Sequence, residues 1–182
     1  GGLGRHLLGI DGMSRSDLEE ILDLTDTFAE IGRRPIPKVP ALRGRTVATA
    51  FFENSTRTRM SFETAARRLS ADTVAFSAGS SSLSKGESLR DTVEVVASYG
   101  ADLLVVRHAM AGTAHRVADW TELSVVNAGD GCHEHPTQAL LDCYTLREQR
   151  GSLDGMRIAI VGDVRHSRVA RSNILAFTAL GA

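Results

Sequence analysis

From residue 45 onward, short apolar runs alternate with stretches of helical pattern, and a polar loop follows most of the runs. The runs at 45–52, 73–76, 102–106 and 124–127 read as strands. The stretches at 56–69, 87–99, 113–121 and 136–149 read as helices. A helix between successive strands implies right-handed crossovers and a parallel sheet covered on both faces. Strands buried on both faces are apolar throughout rather than alternating, as these are. The expected fold is therefore α/β, a parallel four-stranded sheet flanked by helices. In such sheets ligands bind beyond the carboxyl ends of the strands. The polar loops at 53–59, 107–108 and 129–138 all follow strands, so they should share one rim.

An N-terminal helix precedes this pattern, with Ser16 as its expected N-cap and apolar positions at Leu18, Ile21, Leu22, Phe28 and Ile31. Gly32 and Pro35 stop it, and a proline-containing connector runs over 33–40. Near the other end, 151–155 reads as a short linker. A new unit is expected after it: strand 157–161, loop 162–167 and helix 168–180. This divides the chain into a domain over 1–150 and the first strand-helix unit of a second α/β domain over 151–182.

Composition narrows the function. A formal net charge of −1 argues against a sequence-independent nucleic-acid binder, which needs a basic face. The longest apolar runs are too short to span a bilayer, and 1–10 lacks the apolar core of a signal peptide. Cys132 and Cys143 make neither a disulfide scaffold nor a CxxC metal pair. The expectation is a reduced, cytoplasmic protein with no membrane or nucleic-acid partner. Lys38 and Lys85 are the only lysines among 21 basic residues, and Lys85 lies in a serine- and glycine-rich loop, 77–86.

The segment Ser55-Thr56-Arg57-Thr58-Arg59 follows an apolar strand and opens a helix. A helix start offers free N–H groups and a partial positive charge, and the hydroxyls and guanidiniums add donors suited to phosphate. It lacks the GxxxxGK[ST] of a Walker loop and the GxGxxG of a dinucleotide site. Around 129–138, glycines allow close backbone approach, and His135 and Gln138 stand three apart on a first helical turn. An imidazole and an amide there can polarise a carbonyl and hold an NH₂ group. Cys132, His133, Glu134 and His135 are metal-ligand types, but consecutive residues point different ways, and no metal is expected. Cys132 is expected to be a small buried residue. Glu134, next to His135, is expected to raise the imidazole pKa. Arg107 ends an apolar strand on the same rim. The loop carrying Ser81, Ser82 and Lys85 suits a lid that delivers a cation to an anionic ligand.

Together, 51–59 (FFENSTRTR), 85–92 (KGESLRDT), Arg107-His108, 127–131 (NAGDG), 135–138 (HPTQ) and 161–163 (VGD) with Arg168 resemble the catalytic chains of the aspartate carbamoyltransferase family. The resemblance runs from about Arg5 onward. Ornithine carbamoyltransferases share STRTR and HPTQ, but the Lys85-Gly86-Glu87 loop and Arg107-His108 resemble the aspartate enzymes. A cationic lid also suits a dicarboxylate and would oppose the ornithine ammonium.

The resemblance implies transfer of the carbamoyl group of carbamoyl phosphate to L-aspartate, with no metal or organic cofactor. It implies that Ser55, Thr56, Arg57 and Thr58 bind the phosphate. Thr58, Arg107 and His135 hold the carbonyl oxygen, and Gln138 holds the carbamoyl NH₂. Lys85, with Ser81 or Ser82, comes from a neighbouring subunit of a homotrimer. Arg168 binds an aspartate carboxylate, and Glu53 pairs with Arg168 or another second-domain arginine. Docking onto regulatory chains or dihydroorotase stays open. The family also carries a second aspartate-binding arginine, a proline-containing loop and a returning C-terminal helix, which have no counterparts within these residues. The chain by itself is therefore expected to be inactive. The alternatives are a non-catalytic carbamoyl-phosphate-binding relative and a carbamoyltransferase for another amine.

Overall fold

The computed structural model describes residues 4–77 and 88–182. Four parallel strands form one sheet: β1 (Thr46–Phe51), β2 (Asp72–Ser77), β3 (Leu103–His108) and β4 (Ser124–Asp130). Their order is β2-β1-β3-β4. β1 leads outward to β2 on one side, while β3 and β4 extend the sheet on the other. The chain thus reverses direction across the sheet between β1 and β3, where doubly wound sheets open a crevice at the carboxyl ends. Glu53 and Arg107 stand at that point.

Among the described residues, six α-helices accompany the strands: α1 (Arg15–Gly32), α2 (Thr56–Arg68), α3 (Leu89–Ser98), α4 (Thr113–Trp120), α5 (Pro136–Arg150) and α6 (Arg168–Ala179). Alternation along each strand decides which helix covers which face. Ala48 and Ala50 of β1, Leu104 and Val106 of β3 and Val125 of β4 point to one side. There they pack with Val93 and Val96 of α3 and with Ala114 and Val117 of α4. Val47, Phe51, Val105 and Ala128 point to the other side, against Ala66 of α2. A further cluster joins Leu18 and Leu22 of α1, Ala139 and Cys143 of α5, and Ala176 and Phe177 of α6.

Two local readings are corrected. The N-cap of α1 is Ser14 rather than Ser16. Ser14 and Asp17 bond reciprocally as a capping box, while Glu19, the residue that would reciprocate for Ser16, is taken by Arg15 at 2.7 Å. The strand expected over 157–161 pairs with no strand among the described residues, and Val161 is 94% exposed. Strand backbone needs a ladder to satisfy its N–H and C=O groups, and none is offered there. The helix of the same unit does form, as α6. The 151–155 segment is a packed connection: Leu153 is buried in the cluster of α1, α5 and α6, and Asp154 pairs with Arg15.

Candidate active site

A cleft of about 810 Å³ opens at the carboxyl ends of β1 and β3. Ser55, Arg57 and Thr58 of α2, Arg107 of β3, His135 and Gln138 at the start of α5, and Arg168 of α6 all line it. The three loops expected to share a rim do share it. Thr56 sits exposed at the first position of α2, outside this lining, and Arg59 turns toward Glu63 at 3.8 Å. Lys85, Ser81 and Ser82 lie outside the described residues.

The start of α2 is built to be open. Ser55 is the N-cap, yet its side chain makes no cap bond. Its hydroxyl instead donates to Thr58 Oγ1 at 2.9 Å. The first-turn N–H groups are thus left for an incoming anion, with Arg57 beside them. Arg107 is a buried charge, 9% exposed. Its Nη1 donates to Ala128 O at 3.0 Å and its Nη2 to Glu53 Oε1 at 2.7 Å, while its Nε is buried without a partner. Arg168 also bonds Glu53 through Nη2, and its Nη1 donates to Gly131 O at 3.1 Å. One carboxylate therefore ties two guanidiniums from separate parts of the chain. In turn, Arg168 holds the Glu53 carboxyl below its usual pKa. Burial and the nearby Arg168 charge pull the Arg107 pKa down.

Glycine is required where these arginines pass the backbone. A Cβ at Gly129, where φ is +114°, would stand 2.9 Å from Arg107 Nη1 and 3.2 Å from Arg168 Nε. At Gly131 it would stand 2.7 Å from the backbone N of Ala111.

His135 is buried, and its backbone N–H donates to Ser172 Oγ of α6 at 2.9 Å. Burial, with Arg107 and Arg168 nearby, pushes its pKa down to about 4. The ring is therefore neutral at pH 7 and can donate a hydrogen bond to a carbonyl without carrying charge. Nitrogen-detected NMR of the ring is expected to show a neutral imidazole down to about pH 4; a midpoint near 6.5 contradicts the geometry.

The expected influence of Glu134 on His135 is overturned. The Glu134 carboxylate turns away and is fully buried, accepting from Ile10 N at 2.5 Å and Asp11 N at 3.3 Å. Burial raises its own pKa. Glu134→Ala leaves these two amides without their acceptor and is expected to cost about 2–4 kcal/mol. Urea unfolding measures this, and an unchanged midpoint contradicts it. Cys132 is exposed rather than buried, because it sits on the turn between β4 and His135. The pH-inert thiol is Cys143, whose burial in α5 raises its pKa to about 12. His133 Nδ1 lies 3.0 Å from Asp130 Oδ2. His133 and Glu134 thus turn to different partners, and no group of three or more His, Cys, Asp or Glu among the described residues is placed to hold a metal.

Residues 5–148 match the family model of the aspartate/ornithine carbamoyltransferase carbamoyl-P binding domain. The chain belongs to the aspartate/ornithine carbamoyltransferase family. Carbamoyltransferase relatives include the aspartate carbamoyltransferase catalytic subunits of Deinococcus radiodurans and Thermobifida fusca. They are 60% and 56% identical to this chain, each over 98% of it and 57% of the relative. Among solved carbamoyltransferase structures, aspartate transcarbamoylase from Trypanosoma cruzi in complex with carbamoyl phosphate and aspartate is 34% identical. It superposes with a TM-score of 0.91 over 98% of this chain and 55% of that one. The catalytic subunit of M. jannaschii aspartate transcarbamoylase is 39% identical, with a TM-score of 0.88 over 98% and 58%. The chain therefore spans little more than half the length of the relatives it matches.

Three functional contacts were not predicted from the sequence. Ser172 fixes the His135 backbone, Ala128 O holds Arg107, and Glu53 bridges Arg107 as well as Arg168. Only the bridge had a signal, a lone acid inside the polar loop after β1. No helix among the described residues is long and apolar enough to cross a membrane.

Proposed function

We propose that this chain supplies the carbamoyl-phosphate half of an aspartate carbamoyltransferase active site. The whole protein transfers the carbamoyl group of carbamoyl phosphate to L-aspartate, giving N-carbamoyl-L-aspartate and phosphate. The observation that carries the reading is the convergence of an open helix start, three guanidiniums and a neutral buried imidazole on one cleft. Ser55, Thr56, Arg57 and Thr58 take the phosphate. Thr58, Arg107 and His135 donate to the carbonyl oxygen, and Gln138 meets the carbamoyl NH₂. Arg168 binds an aspartate carboxylate.

In the reaction the aspartate amine attacks the carbamoyl carbon and the carbonyl oxygen becomes an oxyanion. The oxyanion re-forms the carbonyl as the carbon–oxygen bond to phosphate breaks, and the amine proton passes to the departing phosphate. Positioning and charge stabilisation carry the rate, without a covalent nucleophile or cofactor. Residues 151–182 begin a second, aspartate-binding domain, whose later strands would pair with 157–161. Lys85 with Ser81 or Ser82 enters from a neighbouring subunit of a cytoplasmic homotrimer. The aspartate substrate is supported over ornithine by the Trypanosoma cruzi complex and by the similarity to catalytic subunits named aspartate carbamoyltransferase. The test is an assay of a protein of the relatives' length with both amines. Formation of N-carbamoyl-aspartate is expected; citrulline instead, or neither product, overturns the assignment.

A further inference from the structure

Behind the cleft, Asp142 of α5 accepts from two side-chain amides at once. Gln138 Nε2 donates to Asp142 Oδ1 at 3.0 Å, and Asn173 Nδ2 of α6 donates to Asp142 Oδ2 at 2.8 Å. An ionised carboxylate only accepts, so both amides must present nitrogen to it. Asn173 carries the cost of that demand, because its Oδ1 is buried with no partner. Gln138 lines the cleft while Asp142 and Asn173 do not. Among the described residues nothing donates to Gln138 Oε1, and its carbonyl is the half left for a ligand.

We propose that Asp142 is a positioning residue that sets the selectivity of the cleft for a primary amide. By holding the Gln138 nitrogen, it presents the Gln138 oxygen as an acceptor. An acceptor there pairs with an NH₂ group and leaves a methyl group unbonded. A freely rotating glutamine amide offers donor or acceptor alike and discriminates poorly. The inference rests on the proposed carbamoyl-phosphate reading and adds to it the origin of discrimination against acyl phosphates. A surface i,i+4 pair would need no third residue; here the second oxygen is bound by Asn173 from another helix, at the expense of a buried orphan oxygen.

The test is calorimetric titration of the full chain with phosphonoacetamide, with the methyl ketone in which CH₃ replaces NH₂, and with inorganic phosphate. The wild type is expected to prefer the amide by at least about tenfold, and Asp142→Ala to shrink that preference below about threefold. Phosphate affinity stays within about twofold, because the phosphate end lies at α2. Asn173→Ala keeps the Gln138 contact and is expected to keep the preference. Alanine favours helix, so α5 should persist; Asp142→Ser reads the same ratio should the alanine variant not fold. A preference that survives loss of Asp142, or a wild type that binds amide and ketone equally, overturns the proposal alone. A wild type that binds none of the three overturns the carbamoyl-phosphate reading and this proposal with it.

Discussion

Replacing Arg57 with alanine in a protein of the relatives' length is expected to lower turnover about 10²–10³-fold while leaving the fold intact. Arg57 stands exposed on the first turn of α2 and lines the cleft, where the free N–H groups of the helix start face the same space. In the proposed reaction phosphate is the leaving group, so charge builds on it as the carbon–oxygen bond breaks. A guanidinium contact that strengthens at that moment acts on kcat as well as on binding. Because the side chain is exposed, its removal should shift the melting temperature by no more than about 1–2 °C. Steady-state kinetics beside a melting curve separates the two effects, and near-normal turnover contradicts the phosphate assignment.

Replacing Glu53 with alanine is expected to do the reverse and damage stability first. The Glu53 carboxylate is the counter-charge for both Arg107 and Arg168, whose side chains are only 10% and 17% exposed. Without it, two like charges face each other in a site with little water. Breaking a buried pair in this way costs about 3–5 kcal/mol; partial exposure of Glu53 lowers the expectation to about 2–3 kcal/mol. For a chain of this size that is a fall of roughly 5–10 °C in melting temperature. The pH dependence has a definite sign. Arg168 depresses the folded pKa of Glu53 below its unfolded value of 4.5. Its contribution is thus fully present above pH 4.5 and is lost as pH falls through the folded value. The wild type and Glu53→Ala should therefore differ most near neutrality and converge in acid. Differential scanning calorimetry across pH reads this, and a constant gap between them contradicts it.

Sheet and helices were legible because burial on both faces forces apolar runs, as at Val47 to Phe51, and because Gly100 and Gly112 mark turns at positive φ. The donor cluster at the start of α2 was legible because its members are contiguous in sequence on one helix start. Long-range choices were not. Glu134 reads as a neighbour of His135, but its carboxylate is claimed by Ile10 and Asp11 more than a hundred residues away. Nothing in the sequence singles out Asp142, whose carboxylate Asn173 reaches from α6. The apolar pattern at 157–161 signals a strand, yet a pattern states only what a segment can pair with and not whether a partner is present.

The site also explains why so many arginines are tolerated in one hollow. Arg107 and Arg168 are each partly neutralised by Glu53 and held by backbone carbonyls. An entering dianion would compete for those guanidiniums and would also ease the repulsion that adds to burial in keeping His135 neutral. Binding and the His135 pKa are therefore linked: a bound phosphate should raise that pKa above about 4.

That linkage makes one titration decisive. The chain is titrated with carbamoyl phosphate while the His135 ring resonances are followed at a series of pH values. Saturable one-to-one binding is expected, with an upward shift of the His135 midpoint and affinity at least about tenfold weaker in Arg57→Ala. Binding that leaves the His135 midpoint near 4 and is indifferent to Arg57, or no binding at all, would contradict it.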